Sequence, residues 1–287
     1  MSWFGLALLG AVMQAGQFAV VKAWLRHVPP LILIFWTQAV GLALWLGYFT
    51  VSGAAFVVPP TAYPWILAST VLAATMSYLL VRATAAGDIS IVGPVLASSP
   101  VFAIVPDYLM SGSLPRGLGW LGIALSVAGT MALSRTPHGR FALRELFRRE
   151  DALCTLAASI VLGVLSGVDR RAARDIGVPS YLLALHITMW AGCAVLVAVR
   201  QRRSFAAALT ARRLAPILLH AVFVVAGAVL LMNAITMVPA SYVNSVRRMG
   251  AVFSVLLGSA LFDEPAVAHR LSGAAMASAG AVLLLLG

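Results

Sequence analysis

Charge is scarce in this chain: nine Asp and Glu and 20 Lys and Arg make up only 10% of its 287 residues. Soluble domains carry about 25%, so a water-facing globule is excluded. The two cysteines, Cys154 and Cys193, sit in apolar runs without metal-type spacing. They exclude a disulfide framework and read as small core residues. Reaction signatures are missing as well: no H-E-x-x-H, no glycine-rich phosphate loop after a strand, and no carboxylate pair at membrane depth. An enzyme is therefore not expected, nor a metal or cofactor. The net charge of +11 would suggest nucleic acid in a soluble domain. Here it reads as basic loops beside a bilayer, and no nucleic-acid partner is expected.

What the chain does have is 61% hydrophobic residues in long continuous runs. A bilayer core about 30 Å thick needs about 20 apolar residues per helix. Ten such spans can be marked: 2–21, 31–51, 62–81, 88–110, 117–134, 152–169, 179–199, 214–235, 239–262 and 266–286. Barrel strands alternate over about ten residues, which these runs do not. The first run lacks a charged leader region and a clear A-x-A-like site, so it reads as a retained helix. Trp3, Trp24, Trp65 and Trp120 lie near span ends, where indoles anchor at the interface.

The loops are unequally charged. If the N-terminus lies outside, the cytoplasmic loops hold Lys22, Arg26, Arg82, Arg135, Arg140, Arg144, Arg148, Arg149, Arg200, Arg202, Arg203, Arg212, Arg213 and Arg270. The opposite loops hold only Arg116, Arg170, Arg171 and Arg174. Short cytoplasmic loops collect Lys and Arg, so both termini are expected outside a bacterial-type inner membrane.

Residues 90–133 and 241–284 align without a gap: Ser90 on Ser241, Phe102 on Phe253, Gly122 on Gly273, Gly129 on Gly280 and Leu133 on Leu284. A fainter echo links residues 8–34 with 161–185, each a span, a basic stretch, a proline and a new span. The expected architecture is an all-α polytopic membrane protein of ten transmembrane helices, arranged as two inverted five-helix repeats. Residues 1–135 form the first repeat, 136–151 a basic cytoplasmic connecting loop, and 152–287 the second. Five is odd, so the halves point opposite ways, a plan that places a substrate site between the repeats near the midplane. Gly119, Gly122 and Gly129 in span 5, with Gly273 and Gly280 in span 10, would let helices approach closely.

The five-plus-five repeat, and the segment AVFSVLLGSALFDEP at 251–265, resemble the ten-helix EamA branch of the drug/metabolite transporter superfamily. In that resemblance the apolar, glycine-containing span 9 closes on a glutamate, here Glu264. The equivalent place in the first half has Ser113, a departure from the pattern. Many relatives have cytoplasmic termini, whereas these loop charges argue the reverse. The resemblance implies this fold and transport, without naming a substrate.

Ionisable groups at membrane depth are costly and mark function by default. Arg247 and Arg248 lie about nine residues into span 9. Asp169, late in span 6, comes out within about 5 Å of Arg247 in depth. An ion pair, an anion-binding arginine and a span-boundary shift that leaves the pair in water are all open. Gln14 and Gln17 share a face of span 1. Further substrate-binding candidates are Trp36, Gln38, Tyr78, Ser98, His186, Trp190, Asn233, Tyr242 and Asn244. Uncharged polar residues also simply bond helices together. Pro94 and Pro100 are expected to bend span 4. Small multidrug relatives couple protons through a glutamate in their first helix, where span 1 has only glutamines. A proton or counter-substrate would have to act through Asp169 or His186.

The function expected is a secondary-active or facilitative transporter, an exporter of a small polar metabolite such as an amino acid or organic anion, working by alternating access. The partners expected are the lipid bilayer and a small-molecule substrate, in a monomer or homodimer. A flippase for a lipid-phosphate or lipid-linked sugar, and a non-transporting membrane assembly protein or enzyme, are the alternatives.

Overall fold

The computed structural model describes residues 2–96, 117–133, 149–201, 211–238, 240–247, 250–263 and 267–286, together with Ser99 and Phe102. No strand occurs among the described residues. The helices are α1 (Trp3–Val20), α2 (Pro30–Ser52), α3 (Tyr63–Ala86), α4 (Ile89–Leu96), α5 (Leu118–Leu133) and α6 (Glu150–Ile176). They continue with α7 (Val178–Arg200), α8 (Ala211–Met237), α9 (Ala240–Arg247), α10 (Gly250–Phe262) and α11 (Val267–Leu286). Among the described residues, six helical segments are long and apolar enough to cross a membrane: Trp3–Leu25, Pro30–Ser52, Pro60–Ala86, Glu150–Ile176, Val178–Arg200 and Arg213–Met237. The chain is a multi-pass membrane protein.

Local chemistry accounts for the ends. Ser2 caps α1 by accepting a hydrogen bond from the Gly5 amide. α1 continues into a π-helical turn over Val21–Leu25. α2 begins on Pro30, where a missing N–H costs nothing. It stops at Gly53, whose φ of 64° is the left-handed conformation of a helix C-cap. Gly177, at φ 81°, is the single residue between α6 and α7. α6 runs seven residues past Asp169, so the expected span 6 (152–169) is too short. Apolarity fades in VDRRAARDI, but Ala172 and Ala173 stay buried in the core and Ile176 packs against it, which keeps the backbone helical. The Arg171–Asp175 pair one turn on, at 3.0 Å, adds at most a few tenths of a kcal/mol.

Packing is led by the pairs α1 with α8, α3 with α6, α2 with α7, α4 with α10 and α5 with α11. Small residues allow the closest approaches. A Cβ at Gly16 would come within 2.9 Å of the Phe223 ring, and one at Gly250 within 3.2 Å of the Ala11 carbonyl. Gly119, Gly122, Gly129, Gly273 and Gly280 are all buried on α5 and α11. Hydroxyls inside the helices donate one turn back along their own helices, as Thr84 does to Leu80, Ser166 to Leu162 and Ser254 to Gly250. At one end of the bundle Lys22, Asp88, Arg149 and Asp151 form a collar, with Lys22–Asp88 at 3.4 Å and Arg149–Asp151 at 2.7 Å. The hydrogen-bonded carboxylate of Asp151 raises the Arg149 pKa, against the effect of burial.

Candidate functional site

Helices α1, α2, α3, α6, α7, α8 and α9 surround an open cavity of about 1290 Å³, counted to its mouth. Most of its wall is apolar, contributed by residues such as Leu165, Leu185, Met189 and Val224. Against that wall stand the few groups that can recognise polarity. Seven residues expected from the sequence reach it: Gln14, Gln17, Gln38, Asp169, His186, Asn244 and Arg247. They come from five helices and from both halves of the chain.

Asp169 is buried on α6. Its Oδ1 accepts from Ser69 Oγ of α3 at 2.9 Å and from Tyr181 Oη of α7 at 2.5 Å. Two hydroxyl donors hold the carboxylate's direction, so its charge is placed rather than free to swing. Arg247, at the end of α9, lines the same cavity and interacts electrostatically with Asp169. Both residues lie seven positions from the helix ends on one side of the bundle, about 10 Å in. One turn before Arg247, Asn244 Nδ2 donates to Ser166 Oγ at 3.0 Å, while its buried Oδ1 has no partner.

His186 on α7 presses its ring against Gly41 of α2, and both of its ring nitrogens are buried without a partner. Gln38, one turn from Gly41, also carries a buried, unpartnered Oε1. Such groups cost about 1–3 kcal/mol each when left unmatched. Polar demand of this kind beside a cavity is what a ligand satisfies.

Other expected residues fall elsewhere. Trp36, Tyr78, Trp190 and Asn233 do not line the cavity. Trp190 stacks on Phe35 with ring centroids 5.7 Å apart, and Asn233, exposed, donates to the Val229 carbonyl. Tyr242 is on α9, but its side chain lies outside the described residues, as do Ser98 and Arg248. The sequence reading missed His220, Thr37, Ser69, Tyr181 and Ser166. His220 lines the cavity and shares a 3.0 Å hydrogen bond through Nδ1 with Thr37 Oγ1. As an ionisable residue in an apolar span it carried the same signal as His186. Ser69, Tyr181 and Ser166 carried none, because their part is to hold Asp169 and Asn244.

An apolar cavity inside a bundle of membrane-length helices, with a carboxylate and a guanidinium on its wall, defines a polytopic membrane protein with an internal chamber. Residues 1–135 match the model of the EamA-like transporter family, of the drug/metabolite transporter superfamily. A crystal structure described only as that of a protein matches with a TM-score of 0.69 at 18% identity, over 99% of this chain and 95% of that one. At that identity the likeness shows the fold, and shows it over both halves. No curated protein matches the chain.

Proposed function

We propose that the chain is a secondary transporter that carries a small amphipathic anion or zwitterion by alternating access, with Asp169 and Arg247 holding the substrate's charged head. The observation that carries this reading is the placement of these two charges on one cavity wall at membrane depth, where an ionisable group is expensive without a task. The two groups together suit an amino acid, Arg247 taking the carboxylate and Asp169 the ammonium. An organic anion would use Arg247 alone.

Neighbour relations among the helices support two inverted halves of five spans, divided at residues 136–151. Here α9 and α10 together stand for span 9, and α11 for span 10. Exchanging each span for the one five places later turns the α3–α6 contact into α8–α1, and α3–α7 into α8–α2. Both members of each exchange are present. The pairs α2–α7, α4–α10 and α5–α11 map onto themselves. Rocking about such an axis would expose the chamber to each side in turn. Loop charge supports external termini in a bacterial inner membrane and fits an exporter, with a proton or counter-substrate as the coupling partner and a monomer or homodimer as the working unit.

The test is counterflow in proteoliposomes. Arg247→Gln is expected to lower anion or amino-acid uptake about 10- to 100-fold, the size of one charged hydrogen-bonded contact. Unchanged uptake of every transported anion in both Arg247→Gln and Arg247→Ala would leave arginine a packing role only. The largely apolar wall also favours a second reading, a flippase for lipid phosphates. Phospholipid retained by the purified protein and released by Arg247→Gln would mark that outcome.

A further inference from the structure

The cavity carries a second polar station. His220 of α8 is oriented by Thr37 of α2 through Nδ1, which leaves Nε2 as the nitrogen able to meet a ligand. Beside Thr37 on the same wall, Gln38 is 4% exposed and its Oε1 has no partner. Contacts along the helices place this station relative to the first. Asp169 is seven residues, about 10 Å, in from the α6 end that Gly177 joins to α7. His186 lies eight residues, about 12 Å, along α7 from the same end, about 2 Å beyond Asp169, and abuts Gly41. α2 runs antiparallel to α7, because Trp190 stacks on Phe35 while His186 meets Gly41. Thr37 is thus four residues further in the same direction, about 6 Å, and bonds His220. The two stations stand about 8 Å apart along the bundle. Ala73, Leu165, Leu185 and Val224, all apolar, line the chamber with them.

We infer that the substrate is an elongated bipolar molecule, with its charged head at Asp169 and Arg247, an apolar body, and a neutral hydroxyl or amide at the far end that hydrogen-bonds His220 and Gln38. The inference rests on the transport reading of this cavity, and adds to it the second recognition point and the distance between the two. A molecule with a charged head alone leaves Gln38 unmatched, and one with two charges would place an ion where only neutral partners wait. Thr37 acts as a positioning residue: its bond to Nδ1 sets the ring's angle and tautomer.

Two probes of equal chain length separate the ideas: hexanoate, and ω-hydroxyhexanoate, whose hydroxyl is about as far from its carboxylate as the stations are from each other. Thermal-shift titration of the full chain in lipid nanodiscs reads both affinities. The wild-type protein is expected to prefer ω-hydroxyhexanoate about fivefold, the worth of one neutral hydrogen bond. Thr37→Val and His220→Leu should each abolish that preference without weakening hexanoate, whereas Arg247→Gln should weaken both probes alike. Thr37→Val is nearly isosteric, so it keeps the test decisive if His220→Leu does not fold. Equal affinity for the two probes, no binding of either, or a preference that survives both changes overturns the inference. If Arg247→Gln alters neither probe while Thr37→Val abolishes the preference, the anion-site reading falls and the histidine station stands.

Discussion

A methyl group at Gly41 is the sharpest structural perturbation the fold offers near the chamber. An ideal Cβ there would stand 2.6 Å from Cδ2 and 3.0 Å from Cε1 of His186, with Nε2 nearer still. Carbon contacts are comfortable at about 3.5–4.0 Å, so Gly41→Ala must drive the ring or the α2 backbone aside by about an ångström. Overpacking of this kind costs about 1–3 kcal/mol. For a domain of this size each kcal/mol lowers Tm by about 2–4 °C, giving a loss of roughly 2–12 °C. The ring borders the chamber, so it should intrude there and lower uptake as well. The assay is thermal unfolding of the purified protein as a double-mutant cycle. On a His186→Ala background the ring is gone, and Gly41→Ala should then cost nothing further. An unchanged Tm for Gly41→Ala, or an equal loss on both backgrounds, would refute the close α2–α7 contact.

Further outcomes follow from other contacts. Asp169→Leu removes the acceptor of Ser69 and Tyr181 and the carboxylate with which Arg247 interacts electrostatically. Two hydroxyls left without an acceptor should destabilise by about 1–3 kcal/mol each, and Arg247→Met on that background should recover part of the loss, read by the same melting assay. Gly250→Ala forces a methyl against the Ala11 carbonyl at 3.2 Å. Backbone yields poorly, so a loss of about 1–3 kcal/mol is expected, and an unchanged melting point would contradict the α1–α10 approach. Gly87→Ala would overlap the Asp151 carboxylate. Its melting penalty should shrink on an Asp151→Ala background. An alkaline phosphatase fused to the C-terminus should be active if the terminus lies outside, and silent if the loop charges mislead.

The helices were legible because lipid removes the ambiguity that tertiary packing creates in water. Every backbone group must be satisfied within its own helix, so hydrophobic length alone marks the segments. Ends were less legible. Span 6 continues through VDRRAARDI to Ile176, because Ala172 and Ala173 pack into the core within a stretch whose charges lower its hydropathy. Site residues divided by chemistry. Asp169, Arg247, His186, Gln14, Gln17, Gln38 and Asn244 stand out as polar groups in apolar runs, and all seven line the cavity. Trp190 and Asn233 looked the same in sequence, yet one stacks on Phe35 and the other bonds its own helix. One-dimensional spacing gives the face of a helix without saying what that face meets.

By itself the sequence determined the solvent. Its scarcity of charge and its ten long apolar runs allow little but a helical bundle in a bilayer, and its few membrane-depth charges limit where recognition can occur. Tertiary structure alone decided which polar residues share a chamber. The bonds of Asp169 to Ser69 and Tyr181, and of His220 to Thr37, join residues 100, 12 and 183 positions apart. No local pattern encodes those pairings, because they arise from how separate helices dock side by side. That docking turns isolated polar residues into a charged station and a neutral one, separated by an apolar wall.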